Sequence, residues 1–186
     1  MKVHISLNDK LKQTMLMMFE EMDIGVKDYR IEKLVEGINV YTTHITDNKK
    51  TELQLNEESS GTIKLFGLLP AIAFSILNGS ALILDKLDAN LHPYLLKYII
   101  QLYGNREINN KGAQLIFTSH DLSTMNSDLF RRDEIWYVTK DNKEAATLYS
   151  LVEFARKDAR FDKQYLEGKY GGCPYLQRLI NWEDVR

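Results

Sequence analysis

Ala81-Leu82-Ile83-Leu84-Asp85-Lys86-Leu87-Asp88 (ALILDKLD) and Leu115-Ile116-Phe117-Thr118-Ser119-His120-Asp121 (LIFTSHD) decide how this chain is read. Each is an apolar run that stops at polar residues. Buried parallel strands show that pattern, and open α/β sheets bind ligands at the carboxyl ends of such strands. Between the two runs, Pro93–Tyr103 reads as a helix, with Pro93 suited to its first turn. Strand, helix and strand in that order form a crossover unit with parallel strands. Asp85 and His120 are therefore expected to converge on one sheet edge.

Working outward, Ile63–Leu77 is apolar nearly all round and predicts a buried helix that begins just after Gly61 and is closed by Gly79. Nearer the start, Leu11, Met15, Met18, Phe19 and Met22 recur at three- and four-residue spacing, which predicts an amphipathic helix over Leu7–Met22. Ile38–Thr46 and Thr51–Leu55 are rich in β-branched residues and flank Asp47-Asn48-Lys49-Lys50, a hairpin or pair of short strands. Downstream, Glu134–Thr139 and Ala146–Leu151 predict an edge hairpin, and Tyr175–Trp182 a last helix. No repeat, low-complexity tract or linker interrupts the chain. The expected organisation is one domain over 1–186. In it, a helix and hairpin (1–56) lead into a core (57–155) followed by a C-terminal extension (156–186).

Bulk properties narrow the class. At 186 residues the chain is long enough for a sizeable core. A net charge of -2 argues against a strongly basic surface overall. Cys173 is the single cysteine, so no intrachain disulfide can form and a reducing, cytoplasmic location fits. The apolar run Met15–Phe19 is too short to span a bilayer and is followed at once by Glu20 and Glu21, so no membrane is expected.

Four elements carry potential chemistry. Asp85 stands at a strand tip, where a carboxylate can hold Mg²⁺ bridging nucleotide phosphates; the plainer reading is a turn or cap residue. His120 can reach a γ-phosphate from the second tip, or simply hydrogen-bond structurally. Glu57-Glu58-Ser59-Ser60-Gly61-Thr62 directly precedes the buried helix. Its hydroxyls, its glycine and the helix N-terminus suit an anion, while the plainer reading is an N-cap by Ser60 or Thr62 with Gly61 making the turn. Asp88, in the loop Leu87–Pro93, reads equally as an anion at a helix start.

In the order ESSGT, apolar helix, ALILDKLD, ANLHP, helix, LIFTSHD, the chain resembles the C-terminal half of ABC-type ATPase heads. More narrowly, it is similar to the AAA-domain ATPases of bacterial abortive-infection and phage-resistance systems, relatives of the chromosome-organising and DNA-repair ABC ATPases. The likeness runs from about Leu53 to about Tyr175, and includes Leu129–Val138 and Leu166–Leu176. It implies an α/β fold, part of a three-layer P-loop NTPase head, with parallel central strands and an edge hairpin. It also implies roles by position. Ser59, Ser60 and Gly61 stand at the signature loop, which contacts the γ-phosphate held by the other subunit. Asp85 is the Walker B aspartate and ligand of Mg²⁺, Asp88 lies in the D-loop at the dimer interface, and His120 is the switch histidine. ATP is the implied nucleotide, and two such subunits close over two nucleotides.

Two departures qualify the likeness. The residue after Asp85, a water-polarising glutamate in the family, is Lys86. A lysine ammonium accepts no proton, so it cannot replace the glutamate as a base; its charge would favour bound nucleotide and slow hydrolysis. No G-x-x-x-x-G-K-[ST] pattern occurs anywhere, so the backbone cradle for the β-phosphate is not encoded here. The chain reads as a piece of a longer protein, a gene remnant or one half of a split protein. Its expected partners are a second copy or a P-loop-bearing half, with nucleic acid possible in the full system. A non-enzymatic dimerisation or regulatory module is the alternative. A nucleic-acid binder ranks last, because Arg131-Arg132 is too small a basic patch.

Overall fold

The computed structural model describes residues 3–4, 9–34, 37–140, 143–154 and 160–173. The chain divides into two compact units, Met1–Asp121 and Leu122–Arg186.

In the first unit, β1 (Val3–His4) precedes α1 (Asp9–Glu21), and then β2 (Asp28–Leu34), β3 (Gly37–Thr46) and β4 (Lys49–Gln54) complete an antiparallel sheet in the order β1-β2-β3-β4. The β3–β4 turn is shorter than the sequence suggests. Asp47 and Asn48 both take left-handed conformations, φ 50° and 60°, and Thr46 pairs with Lys49. Two consecutive left-handed residues make the tight turn whose twist matches a hairpin, so Lys49 and Lys50 join the strand. β2 was not foreseen. Its charged residues alternate, and one face is polar: Arg30 bonds Glu32 and Glu52 and lies over the Tyr41 ring, 3.9 Å from its centre.

α2 (Ser60–Asn78) is the spine of this unit, with Leu65, Leu69 and Ile72 fully buried. Each such side chain contributes about 1.5–3 kcal/mol of burial. Among the described residues α2 is the one helix long and apolar enough to cross a membrane by length and composition. Its buried stripe packs instead against α1: Phe66 meets Phe19 and, edge-on, Tyr29. Gly79 ends it in the left-handed conformation, φ 69°. There a Cβ would lie 2.6 Å from the Lys111 carbonyl oxygen, so only glycine fits.

β5 (Ala81–Leu84), α3 (Pro93–Gly104) and β6 (Gln114–Phe117) form the expected crossover, and β5 and β6 are parallel with Leu84 opposite Phe117. α2 packs beside β5 and α3 beside β6. The pair was expected to be buried on both faces. Instead Leu82, Leu84, Leu115 and Phe117 are half-buried, while Ile83 and Ile116, which pair in register, are 73% and 55% exposed.

In the second unit, β7 (Trp136–Lys140) and β8 (Ala146–Ser150) form the predicted hairpin, and α4 (Phe161–Leu166) follows. Ile135, Tyr137, Leu151, Phe161 and Tyr170 make its core. Tyr137 stacks on Tyr165 and Tyr170, and Tyr149 donates a hydrogen bond to the Tyr170 carbonyl. The helix expected over Tyr175–Trp182 lies outside the described residues.

Candidate functional site

The parallel register fixes what stands at the strand tips. Asp85 directly follows β5 and Thr118 directly follows β6, with His120 two residues beyond. The Thr118 hydroxyl donates to Asp85 Oδ1 at 2.5 Å and accepts the Lys86 N–H at 2.8 Å. Main-chain bonds continue the ladder past both strands: Thr118 N–H donates to the Leu84 carbonyl at 3.1 Å and Leu87 N–H to the Thr118 carbonyl at 3.0 Å. The Asp85 and Thr118 tips therefore point the same way and are laced together. Asp85, Lys86 and His120 are exposed, as a site open to a ligand requires. Ser119 shapes the turn around His120, its hydroxyl accepting the Asp121 N–H at 2.9 Å.

Lys86 is in the left-handed conformation, φ 49°, as is Asn90, φ 59°. Asparagine tolerates that region, but for lysine it costs about 1–2 kcal/mol. The conformation is held from both sides: the Lys86 N–H by Thr118, and its carbonyl by the Lys64 ammonium at 2.9 Å. Lys64 also donates to the carbonyls of Leu87 at 2.9 Å and Ala89 at 2.5 Å. Burial lowers the Lys64 pKa, and the nearby Asp88 charge opposes that shift. Among the described residues, Asp88 Oδ1 is buried without a hydrogen-bond partner.

The Glu58–Thr62 turn is built differently from the expectation that Ser60 or Thr62 caps α2. Ser59 is the N-cap; its hydroxyl accepts the Thr62 N–H at 3.1 Å and lies 2.9 Å from the Thr62 hydroxyl. The helix starts two residues earlier than read, so Ser60 and Gly61 lie in its first turn. Gly61 allows a close approach: a Cβ there would stand 3.2 Å from the Asn90 carbonyl oxygen, tighter than an ordinary contact. The turn thus lies against the loop that follows Asp85. Its other end is tied to β3, where the nearly buried Glu58 carboxylate accepts from the Thr42 hydroxyl at 2.5 Å and lies 2.6 Å from His44 Nε2.

Ser59, Gly61, Asp85, Lys86, Asp88 and His120 all belong to the first unit, at the ends of α2, β5 and β6. Sequence reasoning missed Thr118, Lys64 and Glu58. Thr118 could have been found by writing β5 and β6 in parallel register. Nothing in the sequence pairs Lys64 or Glu58 with its partners. Among the described residues no three His, Cys, Asp or Glu side chains gather as a metal cage. One exposed carboxylate beside a hydroxyl is nonetheless the donor set of an ion such as Mg²⁺, which keeps several waters and takes only one or two carboxylates besides phosphates.

The family model of an AAA domain, putative AbiEii toxin, Type IV TA system, matches residues 4–126. Among solved structures, one described as "Structural biochemistry of ATP-driven dimerization and DNA stimulated activation of SMC ATPases" is similar with a TM-score of 0.57 at 16% identity. That match covers 86% of this chain and 90% of that one. A second, an SmcHead bound to the C-winged helix domain of ScpA, has a TM-score of 0.54 at 17% identity, with 76% of this chain and 42% of that chain covered. The chain thus spans nearly all of one similar structure and less than half of the other. These likenesses show an ABC ATPase head-like fold. No curated protein matches the chain.

Proposed function

We propose, since this chain belongs to the family of AAA domains described as putative AbiEii toxin, Type IV TA system, that it is the C-terminal portion of an ABC-type ATPase of abortive-infection type. The observation that carries the reading is the parallel register pair of β5 and β6, which sets Asp85 beside Thr118 with His120 following. In this reading Asp85 holds Mg²⁺, with Thr118 orienting its carboxylate. When bound, the ion neutralises charge on the nucleotide phosphates. His120 donates to the γ-phosphate from the neighbouring tip. The Ser59–Gly61 turn faces the γ-phosphate of a nucleotide held by another subunit, through hydroxyls and helix N–H groups. Asp88 lies at the interface between subunits.

Lys86 sets the character of the site. Its ammonium cannot orient and deprotonate a water as a carboxylate does. It attracts phosphate instead, so the site retains nucleotide better than it cleaves it. The β-phosphate cradle comes from a P-loop supplied outside this sequence, by another segment or a second chain. The exposed face bearing Ile83 and Ile116 supports such a complement, because a parallel sheet that has two strands among the described residues and an open apolar face calls for further structure. A cytoplasmic site of action follows from the same reading.

The test is reconstitution. The chain mixed with a P-loop-bearing partner encoded beside it binds ATP·Mg²⁺ by calorimetry, hydrolyses it faster as Lys86→Glu, and loses hydrolysis as His120→Ala. A reconstituted pair that binds no nucleotide refutes the proposal. The lysine and the open face also favour a second reading, a non-enzymatic dimerisation module. That reading requires the chain to self-associate without nucleotide, and a monodisperse monomer counts against it.

A further inference from the structure

The Lys64 ammonium has three donors and meets three main-chain carbonyls, those of Lys86, Leu87 and Ala89. Lys64 lies on the first turns of α2, directly after the Ser59–Gly61 turn; its acceptors follow Asp85 at the tip of β5. A second contact joins the same two places. Gly61 lies so close to Asn90 that an added Cβ would come within 3.2 Å of its carbonyl oxygen. The gripped loop includes both left-handed residues, Lys86 and Asn90. The lysine at 86 has its N–H held by Thr118 and its carbonyl held by Lys64, so neither peptide flanking its α-carbon is free to turn. Asp88, whose Oδ1 is buried without a hydrogen-bond partner among the described residues, supplies the nearby negative charge that offsets the cost of burying the ammonium.

We propose that Lys64 is a positioning residue that sets the backbone of residues 86–90 and makes the first turn of α2 and the tip of β5 move as one body. The physical reason is the directionality of its bonds. The Lys86, Leu87 and Ala89 carbonyls can each turn away only by giving up a charge-assisted hydrogen bond, and any displacement of the first turns of α2 carries the ammonium and its three acceptors with it. The functional consequence rests on the reading given under Proposed function. There the Ser59–Gly61 turn and Asp85 face different nucleotides, so Lys64 links the two sites through one subunit.

Hydrogen exchange on the full chain without nucleotide tests this, so its outcome is independent of whether the chain contacts ATP. The amides of Ala89 and Leu91, which bond the Lys86 and Asp88 carbonyls, report on the loop. In Lys64→Met their exchange rises by about tenfold or more, as loss of a local restraint predicts, while the β2–β4 sheet is unchanged. Lys64→Arg, which keeps charge and donors, retains protection. Gly61→Ala, acting from the other contact, accelerates the same amides. Unchanged exchange in Lys64→Met overturns the proposal. So does a uniform acceleration across the first unit, which marks a contribution to general stability only, or an equal loss of protection in the arginine variant. Should Lys64→Met fail to fold, Lys64→Gln, with a single donor group, is read by the same criteria.

Discussion

Thr118→Val tests the lacing of the two strand tips most directly. Valine keeps the β-branched shape and strand preference, so the change isolates one hydroxyl. Two hydrogen bonds disappear: the 2.5 Å bond to the Asp85 carboxylate and the 2.8 Å bond from the Lys86 N–H. A buried bond to a charged group is worth about 1.5–3 kcal/mol, and a neutral one about 0.5–1.5. Both Asp85 and Thr118 are exposed, and water replaces part of each bond, so the low end of each range applies. The expected loss is about 2 kcal/mol in total. A second effect is local: without its acceptor, the Lys86 N–H is no longer fixed and the left-handed residue is free to relax. Urea unfolding measures the first effect, and exchange at the Lys86 amide the second. Thr118→Ser, which keeps the hydroxyl, serves as the control and retains protection at that amide. A Thr118→Val protein with stability within about 0.3 kcal/mol of the parent and an equally protected Lys86 amide would refute the claim that this hydroxyl ties the tips together.

Gly79→Ala is destabilised by more than the left-handed penalty of about 1–2 kcal/mol, because the new Cβ meets the backbone oxygen of Lys111 rather than a movable side chain; thermal unfolding reads the loss, and a change under about 0.5 kcal/mol would contradict the fit described here. In the second unit, burial and then the neighbouring Tyr170, Tyr165 and Tyr149 push the Tyr137 phenol well above its ordinary value of 10. A group raised in the folded state gives stability that is complete below the unfolded value and declines as pH rises beyond it, so this unit weakens above pH 10; pH-resolved unfolding followed by tyrosine absorbance checks the direction, and Tyr137→Phe removes that part of the alkaline decline.

The crossover was legible because its signals are local and coincide: two apolar runs, an intervening helix opened by proline, and polar residues at both strand ends. α2 was legible for the same reason, an apolar run bracketed by Gly61 and Gly79. Its cap was not, because three neighbouring hydroxyl residues compete and only the backbone conformation of Ser59 selects among them. β2 was hidden by its composition. Asp28, Arg30 and Glu32 alternate on a polar face, where Asp28 pairs with Lys12 of α1 and Arg30 with Glu52 of β4 as well as with Glu32, and that compensation is largely invisible in a single segment. The site was legible as far as Asp85 and His120. Thr118, Lys64 and Glu58 act through contacts 14 to 33 positions away in sequence, which appear only once strands and helix are laid together.

Ile83 and Ile116 present a greasy ribbon whose two strand borders are unclaimed among the described residues. Such a ribbon is tolerable in a cell only while something shields it, since exposed pairing borders recruit other polypeptides indiscriminately. Where that shield is a second polypeptide, as in the split arrangement proposed above, its production must keep step with that of this chain, and any surplus becomes work for chaperones and proteases. Selection would then act on relative dosage as well as on the residues at the strand tips.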